Sequence, residues 1–142
     1  MKAILTRFGM NVSQPTTNRT VMETSTCRFI LHENGILYLY IHDDLSIDGS
    51  EAQQMVHDAL SIEHSGQTRL LISIGANDEL SFAAQRVFAS AKGFTRVAFM
   101  TRNRLQAEVG QFLVTMMRAL KSSYEFKLFY DMSDAEAWLL RP

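Results

Sequence analysis

A single cysteine in 142 residues excludes an internal disulfide framework, and a lone Cys27 fits a reducing compartment. There is no basic excess: 14 Lys and Arg stand against 15 Asp and Glu, for a formal charge of −1. A general nucleic-acid binder is usually clearly basic, so that class is set aside. Long apolar runs are missing too. The longest are strand-sized, so no membrane span is expected. The opening MKAILTRFGMNVSQ has a lysine but no sustained apolar core and no small-residue cleavage site, which predicts no signal peptide and a cytoplasmic location. The glycines Gly35, Gly49, Gly66, Gly75, Gly93 and Gly110 are scattered as punctuation and build no phosphate cradle.

What is present describes one ordinary domain, with 46% hydrophobic and 20% charged residues. Residues 11–26 are polar and threonine-rich without an apolar period. They read as a flexible arm, so residues 1–26 form the arm and 27–142 the packed domain. Within the arm, residues 1–9 are apolar enough to add an edge strand. The charge is uneven: residues 27–79 carry −7 and residues 80–142 carry +4. A dipolar chain of this kind suits association with itself or with a charged partner.

Alternation around Phe29 and Leu31, then Asn34-Gly35, then Ile36 to Ile41, predicts a β-hairpin on a two-residue turn. The second strand is apolar on both faces and must be covered on both. Ser50 with Gln53 reads as a capping box opening a helix striped by Ala52, Met55, Val56, Ala59 and Leu60, with Gly66 ending it. A buried strand follows at Arg69 to Ile74. Ser81 caps a second helix that Gly93 stops, and Val97 to Met100 is the next strand. Asn103 with Gln106 opens the longest helix, striped by Leu105, Val109, Phe112, Leu113, Met116, Met117 and Leu120. Phe126 to Tyr130 is the last strand. Ser133 with Glu136 reads as a second capping box, starting a helix anchored by Trp138 and Leu139. The order is β-β-α-β-α-β-α-β-α, an α/β fold with a mixed, mostly parallel sheet.

In such a sheet the loops after the strands gather along one edge, where ligands usually bind. That edge would collect Asp43, Asp44, Asn77, Asp78, Ser81, Arg102, Asn103 and Arg104 as an anion- or partner-binding surface. The arginines would either meet an anion near a helix start or pair with Asp43, Asp44 or Asp131. His42-Asp43-Asp44 has metal-ligand types but no further ligand on its own element, so no metal site is expected. Cys27 lacks any neighbour that lowers a thiol pKa, and the acidic pairs lack the apolar setting that splits their pKa values. No catalytic residue and no cofactor are predicted. Phe112, Met116 and Met117 form a soft apolar face that would line a pocket between their helix and its neighbours, or simply fill the core.

The block FTRVAFMTRNRLQAEVGQFLVTMM and the ending EFKLFYDMSDAEAWL resemble the STAS-like, SpoIIAA-like group of small bacterial domains related to anti-sigma-factor antagonists. The likeness covers roughly residues 27–140. It implies a STAS-like domain over residues 27–142 that works by docking on partners. In better-understood members a kinase phosphorylates a serine of an Asp-Ser-Ser-type motif at the start of the second helix. The matching segment here runs from Gly75 to Phe82 and puts that serine's slot at or beside Phe82, with Ser81 in the slot before; the Asp-Ser pair is absent. The expectation is therefore a non-catalytic regulatory or protein-interaction domain, homodimeric through a helix or an edge strand. The alternative is a binder of a lipid-like or anionic small molecule, as related lipid-carrier-like domains suggest.

Overall fold

The structure is a computed structural model that describes residues 18–142; the edge strand read at residues 1–9 lies outside the described residues. Six strands form one sheet in the order β1-β2-β3-β5-β7-β8: β1 Asn18–Glu23, β2 Cys27–His32, β3 Ile36–Ile41, β5 Thr68–Ser73, β7 Phe94–Met100 and β8 Glu125–Phe129. The first three are antiparallel neighbours, and β3, β5, β7 and β8 run parallel. Two short strands, β4 Ser46–Ile47 and β6 Glu79–Leu80, form a separate parallel pair. The helices are α1 Gly49–Ile62, α2 Phe82–Ser90, α3 Arg104–Ala119 and α4 Met132–Leu139.

β3 explains the layering. Side chains alternate along a strand, so Leu37, Leu39 and Ile41 face one way and Ile36, Tyr38 and Tyr40 the other. All but Tyr40 are buried. On the Leu39 side, Phe29, Ile72 and Phe99 meet Ala52, Met55 and Ala59 of α1 and Ala84 of α2. α3 closes the same side through Met116 and Met117. It comes so close at Gly110 that a Cβ there would stand 2.5 Å from Leu128 Cδ2 and 3.0 Å from the Phe99 ring. Gly110 is thus a close-packing residue inside a helix rather than punctuation. On the Tyr38 side, Leu71, Ala98 and Phe129 meet Ala135 and Leu139 of α4, with Trp138 alongside.

Several local expectations shift. Residues 18–23, inside the stretch that reads as an arm, pair with β2 as an edge strand. Backbone ladder bonds and β-prone threonine and valine hold such a strand without an apolar period. The hairpin loop is Glu33-Asn34-Gly35 rather than two residues: Gly35 N donates to His32 O, and only Gly35 takes positive φ. α1 starts earlier than Ser50–Gln53 implies. Asp48 is its N-cap and Glu51 completes the box, with Glu51 N to Asp48 Oδ1 at 2.8 Å and Asp48 N to Glu51 Oε1 at 3.0 Å. A carboxylate suits the positive end of a helix better than a hydroxyl. The Ser133–Glu136 box is likewise displaced: Asp131 caps α4 by accepting from Asp134 N, and Glu136 turns to the Tyr38 hydroxyl instead. Ser81 and Asn103 cap α2 and α3 as expected. Gly66 and Gly93 lie beyond the helix ends, in the turns into β5 and β7.

Candidate functional site

The loops after β3 and β5 interlock at the carboxyl edge of the sheet. Asp44 N donates to Ala76 O at 2.8 Å, and Ala76 N donates to Asp43 Oδ1 at 2.8 Å. Asn77 Nδ2 donates to Asp44 Oδ1 at 2.9 Å. Asp78 accepts from Leu45 N at 2.8 Å and from Gly75 N at 2.7 Å. Asp44 and Asn77 take left-handed backbone, with φ of 60° and 62°, a conformation these two residue types tolerate better than most. Gly75 has no room for a side chain, since a Cβ would lie 2.5 Å from His42 O.

The expected acidic cluster is therefore assembled, but its oxygens hold backbone amides and one another's neighbours. Burial raises the Asp78 pKa; the two amide bonds oppose this, and the charges of Asp43 and Asp44 add to it. Among the described residues no group of three His, Cys, Asp or Glu could hold a metal ion. Cys27 is buried, and that burial pushes its thiol up against hydrogen bonds from Thr24 and Thr26, the opposite of an activated nucleophile.

The basic half of the expected edge divides. Ser81 Oγ accepts from Ala84 N at 3.0 Å, and Asn103 Oδ1 from Gln106 N at 2.9 Å, so both polar groups serve as caps. Arg104 is exposed. Arg102 turns away from the acidic loops, and its Nη2 donates to Ser73 Oγ at 3.1 Å on the α4 side of the sheet. Among the described residues the ion pairs are Arg96–Glu125 at 3.1 Å and His42–Glu23 at 3.5 Å, so the pairing of arginine with Asp43, Asp44 or Asp131 does not occur. Gln106, expected only as a partner of the Asn103 cap, is 8% exposed and joins the loops. Its Oε1 accepts from Arg102 N at 2.8 Å, and its Nε2 reaches Gly75 O at 3.5 Å.

The methionine face also divides. Met116 and Met117 are buried, whereas Phe112 is 49% exposed and meets the 59% exposed Phe82 of α2 at 6.5 Å between ring centroids. Between the sheet and α1–α3 lies an apolar void of about 30 Å³, lined among others by Leu39, Met55, Leu113, Met117 and Tyr124. Phe112 and Met116 are not among its walls. The space has room for little more than a water molecule, and its lining offers almost no polar partner.

This architecture is a SpoIIAA-like fold. It is similar to the crystal structure of an uncharacterised DUF3478-family protein with a SpoIIAA-like fold from Shewanella loihica PV-4, with a TM-score of 0.51 and 19% sequence identity over 91% of this chain and 98% of that one. The chain itself belongs to the family described as a domain of unknown function, DUF7793, whose model matches residues 29–141. No curated protein matches it. Among the described residues no helix is long and apolar enough to cross a membrane.

Proposed function

We propose that the chain is a non-catalytic, STAS-like regulatory domain that acts by docking a protein partner on the α2–α3 surface. The observation behind this reading is the exposed Phe82–Phe112 pair, two large rings from neighbouring helices touching each other in water. Aromatic anchors of this kind are the residues that dominate protein interfaces. The resemblance to STAS domains puts the slot of a regulatory serine at or beside Phe82, while the adjacent Ser81 is committed to its helix cap.

The rim favours one kind of partner. Arg86 lies one turn beyond Phe82 and Arg104 two turns before Phe112, with Glu108 between Arg104 and Phe112 on the same helix face. The balance is positive, so the partner presents an apolar side chain ringed by acidic ones. A lipid-like ligand in the core would need a cavity far larger than about 30 Å³, and nothing favours that version of the alternative.

The test places a benzoylphenylalanine photocrosslinker at Phe82 in the cell, with the same probe at exposed Ser61 on α1 as control. The expected result is one discrete adduct with another protein, specific to position 82 and lost on Phe112→Ser. An adduct with a second copy of the chain would replace the partner by a homodimer. Equal, diffuse labelling from both positions would sink the docking surface.

A further inference from the structure

The half-open face of the sheet holds a second feature that the docking surface does not use. Strand register sets Arg28 of β2 opposite Tyr40 of β3, and Tyr40 opposite Ser73 of β5. These three residues therefore form one transverse row, on the side of the sheet away from α1–α3. Two strand spacings, roughly 10 Å, separate the ends of the row. Arg102, just past the end of β7, closes it by reaching back to Ser73 Oγ at 3.1 Å.

Both arginines are exposed, Tyr40 is half-buried and Ser73 is 4% exposed. Neither guanidinium has a carboxylate within ion-pair distance among the described residues. Two carboxylates stand near the row: Glu23, opposite Arg28 in register, lies 3.5 Å from His42 Nε2, and Glu136 accepts from the Tyr38 hydroxyl. Tyr40 O–H has no hydrogen-bond partner among the described residues, and Ser73 Oγ accepts from Arg102 with its own proton left over. Burial raises the Tyr40 pKa. The charge of Arg28 pulls against that, Glu136 adds to it, and the charge of Arg102 pulls against it more weakly.

We propose that Arg28, Tyr40, Ser73 and Arg102 bind a phosphate-type dianion, held between two guanidinium groups with the phenol and serine hydroxyls donating to its oxygens. Guanidinium forks match the tetrahedral oxyanion geometry, and their hydrogen bonds to it are charge-assisted. Two guanidinium groups flanking neutral donors suit a doubly charged group that can span them over a halide, which cannot. The group arrives either on a soluble phosphate monoester or as the headgroup of a phospholipid. This site lies on the opposite side of the sheet from Phe82 and Phe112, so the two proposals fail independently.

The experiment titrates the ¹⁵N-labelled full chain with inorganic phosphate at mildly alkaline pH, with chloride at matched ionic strength as control. Parallel samples receive vesicles of phosphatidic acid or of phosphatidylcholine. The expected result is a saturable shift centred on residues 28, 40, 73 and 102 that chloride does not reproduce. Arg28→Gln or Arg102→Gln should each weaken it about tenfold, the size of one lost charge-assisted hydrogen bond. Phe82→Ser should leave it unchanged. Binding confined to phosphatidic acid vesicles, and weakened by the same two variants, supports the site with a lipid headgroup as its source. Shifts that match chloride, that centre elsewhere, or that persist in both arginine variants would overturn the proposal, as would no response to phosphate or to either vesicle.

Discussion

The two faces of this sheet are built to different ends. On one side three helices, α1, α2 and α3, seal a core of Phe29, Leu39, Ile72 and Phe99, and the remaining space is about 30 Å³. On the other a single eight-residue helix, α4, covers the sheet, meeting Leu71, Ala98 and Phe129. Its hold includes a polar link, Tyr38 to Glu136. Close packing gives stability but leaves no chemistry accessible. The half-covered face keeps enough apolar contact to hold α4 and leaves Arg28, Tyr40 and Arg102 in reach of solvent. Adjacent residues of a single strand thus meet a sealed core on one side and a half-open surface on the other.

Leu39, on β3, gives the sharpest way to break that comparison. It is 1% exposed at the centre of the closed face. Leu39→Ala should destabilise by about 3 kcal/mol, through lost apolar transfer plus a cavity that joins the existing void. Urea denaturation measures it, and a loss below about 1 kcal/mol would mean that α1–α3 can collapse onto the gap. The next residue back tests the other face. Tyr38→Phe removes the donor to Glu136 and leaves that carboxylate half-buried without it, a cost of about 2 kcal/mol. Amide exchange should rise along α4 more than along α1, because the bond spans only α4 and β3. Uniform acceleration across both helices would show that the link does not anchor α4 in particular.

All four helices were legible because each has an apolar period of three to four residues. The sheet's main strands were legible because they alternate, as around Phe29, or run apolar on both faces between turn residues, as Ile36 to Ile41 does. What escaped had no period to show. β1 is held by backbone ladder bonds at an edge, and β4 and β6 are two residues each. Asp48 and Asp131 won the caps from Ser50 and Ser133 by a shift of two residues, which composition alone cannot decide between adjacent polar groups. The candidate edge was legible as a place. Topology does bring Asp43, Asp44, Asn77 and Asp78 together, but where a side chain goes is a matter of register. Arg102 sits beside the acidic loops in sequence logic and hydrogen-bonds across the sheet to Ser73. The pairing Arg28–Tyr40–Ser73 joins three strands, and a single sequence holds no signal for it.

A smaller effect separates the loops from both faces. Asp78 uses both carboxylate oxygens on backbone amides, and asparagine offers only one acceptor in the same place. Asp78→Asn should therefore cost about 1 kcal/mol near neutral pH. Its pH dependence has a definite sign. The folded pKa is raised above the ordinary 3.8, chiefly by burial, so the folded chain holds this proton to higher pH than the unfolded chain. That contribution is full below 3.8 and is lost as pH rises through the folded value. The stability gap between wild type and Asp78→Asn should thus be widest in acid and narrow toward neutrality. A gap that widens with pH would mean the amide bonds outweigh burial.

The smallest stability effect belongs to Tyr40, one residue from Leu39 and on the opposite face. Tyr40→Phe keeps the ring that stacks on Tyr38 at 6.2 Å and deletes a hydroxyl without a partner among the described residues. Its free energy of unfolding should stay within about 0.5 kcal/mol of wild type. The same substitution removes one donor from the proposed oxyanion row, so phosphate affinity should fall several-fold, on the order of one neutral hydrogen bond, while the melting curve barely moves. A stability loss comparable to that of Leu39→Ala would place Tyr40 in the load of the core and erase the distinction between the faces. Unchanged stability with a weakened phosphate response would put the functional surface on the face that one short helix leaves half open.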